Sequence, residues 1–197
     1  IELGFDKLKD ITGRIGMQEE IPFDIPVSKS RFPYKEMSET DMAAVAMGQG
    51  KLQITPLHMA MITSAIANNG VMMKPMLVSQ ITTPEGSTVL TKKPSVLHQI
   101  TTPETAAKLK VMMQQVVDKG TGRNAQIKGI KVAGKTGTAE NELSIKQENK
   151  EHAWFIGFAP LEDPQIAVAV ILEYSGSTGG TQAAPIAREL MATWLRK

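Results

Sequence analysis

The residues best equipped for chemistry cluster in Val132-Ala-Gly-Lys-Thr-Gly-Thr-Ala-Glu140. Lys135 brings a cation, Thr136 and Thr138 bring hydroxyls, and Gly137 leaves its backbone open to close approach. Two chemistries compete for this stretch. Read from Gly129, the run Gly129-Ile-Lys-Val-Ala-Gly134-Lys135-Thr136 satisfies G-x-x-x-x-G-K-[ST], a loop that cradles phosphate groups. Such a loop needs a buried strand before its first glycine and a helix beginning at the lysine. Here Arg123-Asn-Ala-Gln-Ile-Lys128 is too polar for a central strand, and Ile-Lys-Val-Ala is stiff and β-prone where the loop should bend. Gly137 and Thr138 are poor helix formers where a helix should propagate. The alternative makes Val132–Ala139 a strand that holds Lys-Thr-Gly in extended form. By itself that triplet is weak, since on the order of one unrelated chain in twenty would contain it by composition.

The rest of the chain narrows the chemistry by exclusion. The 197 residues contain no cysteine, so disulfides, thiolate nucleophiles and Cys-based zinc sites are out. The three histidines, His58, His98 and His152, are widely separated and form no HExxH pair. Neither a metal nor any other cofactor is expected. Lys plus Arg is 22 against 20 for Asp plus Glu, a net charge of +2 without the dense basic stripe that nucleic-acid binding requires. No uninterrupted apolar run is long enough to span a bilayer. The apolar fraction of 42% suits a packed globular core.

The elements that must position Lys135 can be read in chain order. A short polar helix over Phe5–Arg14 places Leu8 and Ile11 on one side, followed by an irregular stretch punctuated by Pro22, Pro26 and Pro33 through Tyr34. Ser38 caps a helix that Gly48 and Gly50 stop. Thr55-Pro56 starts a second, apolar almost all round to Ala67 and therefore buried, which Asn68-Asn69-Gly70 ends. Extended pieces around Met76–Ile81 and Thr88–Leu90 flank the turn Thr83-Pro84-Glu85-Gly86. Thr102-Pro103 caps a third helix with Ala106, Leu109, Met113 and Val116 on one face. Three strand-like runs follow: Ile130–Ala139, Ala153–Phe158 and the continuous apolar Ile166–Leu172, expected to be buried on both faces. The charged stretch Glu140–Glu151 between the first two is expected to form a hairpin tip or lid. After the loop Ser175–Gly180, a last helix spaces Ile186, Leu190 and Trp194 by four. The twelve methionines, Met42, Met47, Met59, Met61, Met112 and Met113 among them, are expected to fill the core. This order predicts a mixed α/β domain of the α+β type, with helices flanking an antiparallel sheet.

Lys-Thr-Gly on a strand accompanies Ser-x-x-Lys and Ser-x-Asn elements in penicillin-binding proteins and serine β-lactamases. The surrounding passages make the likeness specific. They are Met47-Gly-Gln-Gly-Lys-Leu-Gln-Ile-Thr-Pro-Leu-His-Met-Ala60, Asn68-Asn-Gly-Val71, Val116-Val-Asp-Lys-Gly-Thr-Gly122, Val132–Glu140 and Ala153-Trp-Phe-Ile-Gly-Phe-Ala-Pro160. In this order and over practically the whole chain, residues 1–197, they resemble the transpeptidase domain of class B penicillin-binding proteins. The resemblance implies a β-lactamase/transpeptidase-like fold on the extracytoplasmic face of a bacterial membrane. It implies a serine acyl-enzyme that cross-links peptidoglycan stem peptides ending in D-Ala-D-Ala and is trapped by β-lactams. A D,D-carboxypeptidase, a class D-like β-lactamase and a β-lactam sensor share Lys-Thr-Gly, but Gly48–Ala60 and Trp154–Pro160 fit class B proteins better. By the same resemblance Lys135 helps proton traffic and attracts the donor carboxylate. Thr136 and Thr138 offer it hydroxyls, Gly137 lets the ligand close in, and the Thr138 N–H is one oxyanion donor. Gly120-Thr121-Gly122 is expected to be a structural turn.

The chain also departs from the family pattern. No serine stands three residues before a lysine, and neither Ser-x-Asn nor a G-x-S-x-G elbow occurs. The expectation is that these residues are the C-terminal portion of the domain, starting just after Ser-x-Asn, and inactive alone. The sheet would then lack strands beside Ile166–Leu172, so that either self-association or a partner chain covers this border or the fragment is only marginally stable. The competing expectations are a nucleotide-binding protein using Gly129–Thr136 and a non-catalytic interaction module of the same fold.

Overall fold

The computed structural model describes residues 4–33, 37–140 and 150–196. Its helices begin where short polar side chains can accept from free backbone N–H groups. The Ser38 hydroxyl accepts from Asp41 N–H at the head of α2 (Glu39–Ala46). Thr55 does the same for His58 N–H at α3 (Pro56–Ala67), and Thr102 for Thr105 N–H at α4 (Pro103–Asp118). Each such cap contributes about 1 kcal/mol. The first helix, α1 (Phe5–Arg14), differs from expectation: Leu8 packs beside Met17, Phe32 and Val45, but Ile11 faces water. Thr12 is buried instead, because its hydroxyl donates to the Leu8 and Lys9 carbonyls of its own helix.

Beyond α3, the short strands β1 (Val71–Met73) and β4 (Val96–Gln99) pair antiparallel, and β2 (Gln80–Thr82) with β3 (Thr88–Thr91) forms the expected hairpin. Asp24 ties the N-terminal stretch to this hairpin lobe. Its carboxylate accepts from Leu77 and Val78 N–H and pairs with Lys92, and these partners hold its pKa well below the usual carboxylate range.

The main sheet has the order β5-β6-β7, all antiparallel, from β5 (Ala133–Ala139), β6 (His152–Ala159) and β7 (Ile166–Leu172). Alternation along β6 divides the core. Phe155 and Ala159 face α5 (Ala183–Leu195), where Ala183, Ala184, Ala187 and Met191 pack onto Val168 and Val170. Ile156 and Phe158 face the opposite way, toward Ile62 and Ile66 of α3 and Leu109 and Met113 of α4. The fold is therefore mixed α/β with an antiparallel sheet between helical layers, as the element order predicts. The strand β7 is buried less than expected. Val168 and Val170 are buried but its other residues are half-buried, and among the described residues it pairs with β6 alone.

Three details revise the reading of the apolar residues. Met61, Met72, Met113 and Met191 are core, but Met47 and Met112 are exposed. On α4, Val117 rather than Val116 is the buried valine of the last turn. On α5 the small residues meet the sheet while Ile186, Leu190 and Trp194 are 41%, 50% and 51% exposed.

His58 joins α3 to the N-terminal stretch. It is buried, its Nε2–H donates to the Ile15 carbonyl at 2.6 Å, and its Nδ1 lies 2.8 Å from the Ser30 hydroxyl. Ser30 Oγ also accepts from Thr55 N–H at 3.1 Å, and in a neutral ring whose Nε2–H goes to the carbonyl, Nδ1 accepts the Ser30 hydroxyl proton. Burial lowers the His58 pKa, outweighing the carbonyl contact; the neighbouring charged groups are His98 and Glu19. A histidine held neutral by folding contributes fully above the unfolded value of about 6.5 and destabilises as pH falls below it. The melting-temperature difference between wild type and His58→Gln should therefore shrink from pH 8 to pH 5. At pH 8, His58→Gln should cost about 1–3 kcal/mol, since a buried acceptor loses its donor.

Candidate active site

The segment Lys135-Thr136-Gly137 lies in the middle of β5, and β5 forms one border of the sheet. Ala133 through Ala139 pair one-for-one with Phe158 through His152, so the segment is extended throughout. Gly134-Lys135-Thr136 is not the mouth of a helix. This register removes the phosphate-loop reading of Gly129–Thr136, because amides engaged in a pleated ladder cannot coil around an anion.

The ladder also fixes what points where. Thr136 pairs with Phe155 and Thr138 with Ala153, which places both threonines on the α5 face of the sheet. Lys135 pairs with Ile156 and Gly137 with Trp154, on the face toward α3 and α4. In a strand the N–H and C=O of one residue point to the same side, and the side reverses at the next residue. The Thr138 carbonyl accepts from Gln49 on the side away from β6. The Thr138 N–H and both backbone groups of Thr136 therefore also face outward at the border. The Lys135 ammonium donates to that outward Thr136 carbonyl at 2.5 Å, at the same border.

The surroundings hold the strand in place. The Thr136 hydroxyl lies 2.6 Å from the Thr121 hydroxyl, a hydrogen bond between the site strand and the Gly120-Thr121-Gly122 turn. The segment is a turn, as expected from sequence, and Thr121 brings it into direct contact with the site strand, which no local pattern reports. Behind the strand runs the loop Ser175–Gly180, anchored where Asn124 donates to the Gly180 carbonyl at 2.8 Å. Gly179 is pressed against the sheet: a Cβ there would stand 1.9 Å from the Trp154 carbonyl oxygen and 2.5 Å from that of Gly137. A cleft of about 1440 Å³ opens past the end of β5, between Arg31, Gln49 and Lys51 on one side and Glu140, Trp154 and Tyr174 on the other. Among the described residues no group of His, Asp or Glu side chains could hold a metal ion. No described helix is long and apolar enough to cross a membrane. The expected lid at Glu140–Glu151 falls largely on residues 141–149, outside the described residues.

Lys-Thr-Gly is a signature motif of penicillin-binding proteins and serine β-lactamases, and here it stands at the centre of an antiparallel border strand. The penicillin binding protein transpeptidase domain matches this sequence over residues 1–192. The chain belongs to that family. It is 34% identical, over its whole length, to the peptidoglycan D,D-transpeptidase PbpA of Mycolicibacterium smegmatis, of which it covers 40%. A solved structure of penicillin-binding protein A from M. tuberculosis, a ceftriaxone acyl-enzyme complex, superposes with a TM-score of 0.90 at 31% identity. That match covers 97% of this chain and 43% of the other. The D,D-transpeptidase domain of a peptidoglycan glycosyltransferase from Eggerthella lenta superposes with a TM-score of 0.89 at 35% identity, covering 99% of this chain and 48% of that one. The chain thus spans less than half the length of these relatives.

The tight seat of Gly179 gives a direct test of how the site strand is supported. Gly179→Ala forces backbone apart at Trp154 and Gly137 and should cost at least about 2 kcal/mol, read as a lowered thermal midpoint. Thr121→Val, which removes only the hydroxyl partner of Thr136, should cost about 1 kcal/mol.

Proposed function

We propose that these residues form the substrate-strand half of a serine-type peptidoglycan D,D-transpeptidase, working at the extracytoplasmic face of a bacterial membrane. The observation that carries this reading is the outward border of β5, where the Thr136 and Thr138 backbone groups face away from β6 and the Lys135 ammonium meets the Thr136 carbonyl. A stem peptide ending in D-Ala-D-Ala is extended and carries a terminal carboxylate. It can add to the border as a further strand, its carbonyl directed at the Thr138 N–H. Lys135 then attracts the carboxylate and assists proton transfer, while the Thr136 and Thr138 hydroxyls donate to it. Gly137 keeps the strand free of a side chain beside the ligand. β-Lactams copy the same shape and carry the same anion, in keeping with the ceftriaxone acyl-enzyme of the M. tuberculosis relative.

The serine nucleophile and its lysine base come, on this reading, from polypeptide beyond these residues. Two facts support that: the sequence has no Ser-x-x-Lys, and it spans less than half of its relatives. The second border of the sheet, along β7, and the stripe Ile186, Leu190 and Trp194 on α5 form the surface to be covered by that polypeptide. Without it, self-association covers them.

In the full-length protein, a fluorescent penicillin should label one serine, and Lys135→Ala should slow labelling by about 100-fold or more. An unchanged rate would remove Lys135 from the site. The 197-residue chain alone should take no label and should sediment as a dimer or larger. A monomer that binds no hydrophobic dye would show that the β7 border and the α5 stripe need no cover. An upstream reading frame without Ser-x-x-Lys would instead favour a non-catalytic module of this fold.

A further inference from the structure

The border of β5 is not empty. The side-chain carboxamide of Gln49 lies across it, its Nε2–H donating to the Thr138 carbonyl at 3.2 Å and its Oε1 accepting from Glu140 N–H at 3.2 Å. One donor and one acceptor thus meet two successive outward groups of the strand, in the sense in which a neighbouring strand would meet them. The reach is built into the fold. Gln49 directly follows the last turn of α2, where Gly48 N–H returns to the Val45 carbonyl and Gln49 N–H to the Ala44 carbonyl, each at 2.9 Å. That double closure needs a left-handed residue at Gly48, which has φ 81°, and Gly50 at φ 71° turns the chain away on the other side. The backbone of Gln49 is therefore pinned while its side chain keeps its own rotations.

The geometry points to Gln49 as a gate on the substrate strand: it occupies the Thr138 carbonyl and the Glu140 N–H until a ligand displaces it. This rests on the proposed peptide-binding role of the β5 border. The Thr138 N–H, next along that border, is left clear of Gln49. A ligand can therefore engage the N–H first. A ligand that also has an amide N–H to give to the Thr138 carbonyl must move Gln49, whereas a ligand without one need not. Gln49 thereby distinguishes peptide-like ligands from those that lack a backbone amide at that position. In the free protein it also satisfies a border that would otherwise invite edge-to-edge pairing.

The test compares two β-lactams on the full-length protein. Benzylpenicillin carries an exocyclic amide N–H, and imipenem carries a hydroxyethyl group in its place. In Gln49→Ala the concentration of benzylpenicillin for half-maximal acylation rate should fall about fivefold, the worth of one displaced hydrogen bond. The maximal rate should stay unchanged, and imipenem should shift less than about twofold. Gln49→Asn, one methylene shorter and unable to bridge both groups, should behave like Gln49→Ala. If both drugs shift alike, or benzylpenicillin does not improve, the gate is overturned. If the wild-type protein reacts with neither drug, it is the transpeptidase reading that fails. A further check needs no variant and no ligand: the Glu140 amide should exchange slowly with deuterium in the wild-type chain, and rapid exchange there would overturn the gate.

Discussion

The organising constraint of this molecule is that, among the described residues, β5 pairs with another strand along one side only. A strand in the interior of a sheet spends both of its edges on neighbours. Here the register from Ala133↔Phe158 to Ala139↔His152 uses one edge and leaves the other directional, with the amides and carbonyls of Thr136 and Thr138 in fixed positions. Fixed dipoles are what catalysis of acyl transfer needs, because groups already aimed at a developing charge require no reorganisation. The same alternation sends Lys135 to one face and the two threonines to the other, so cation and hydroxyls approach the border from opposite sides.

The support for that strand comes from residues with little chemistry of their own. Phe155 and Phe158, buried on opposite faces of β6, anchor the sheet between α5 and the α3–α4 layer. Ala183, Ala184 and Ala187 let α5 lie close against it, and Gly179 lets the preceding loop touch backbone directly. Thr121 then ties the C-terminal end of α4 to the site through a single hydroxyl pair. The helical layer is itself secured at a distance by His58, whose two ring nitrogens join α3 to Ile15 and Ser30.

What could be read from sequence follows from how local each signal is. The caps at Ser38, Thr55 and Thr102 act within three residues and stand where they were expected. The stiffness of Ile130–Ala139 was enough to choose strand over phosphate loop, although the strand itself begins only at Ala133. The pair β1–β4 escaped notice because each strand is three or four residues long and pairs across a gap of more than twenty. Met47 and Met112 were misassigned because helical context alone does not say which face meets the core. Of the site, Lys135 through Thr138 were legible as a motif. Gln49 carries no such signal beyond its place in a helix stop, since its partners lie 89 and 91 residues away and no local pattern reports them.

The position of α5 carries one more consequence. Its sheet-facing side combines Ala183, Ala184 and Ala187 with the fully buried Met191, while Ile186, Leu190 and Trp194 look outward. Most amphipathic helices present their large apolar groups to a single layer and close it. This one turns alanines and Met191 inward and leaves Ile186, Leu190 and Trp194 partly exposed. The helix axis therefore sits close to the strands, and any larger side chain at Ala183, Ala184 or Ala187 lifts it off the sheet.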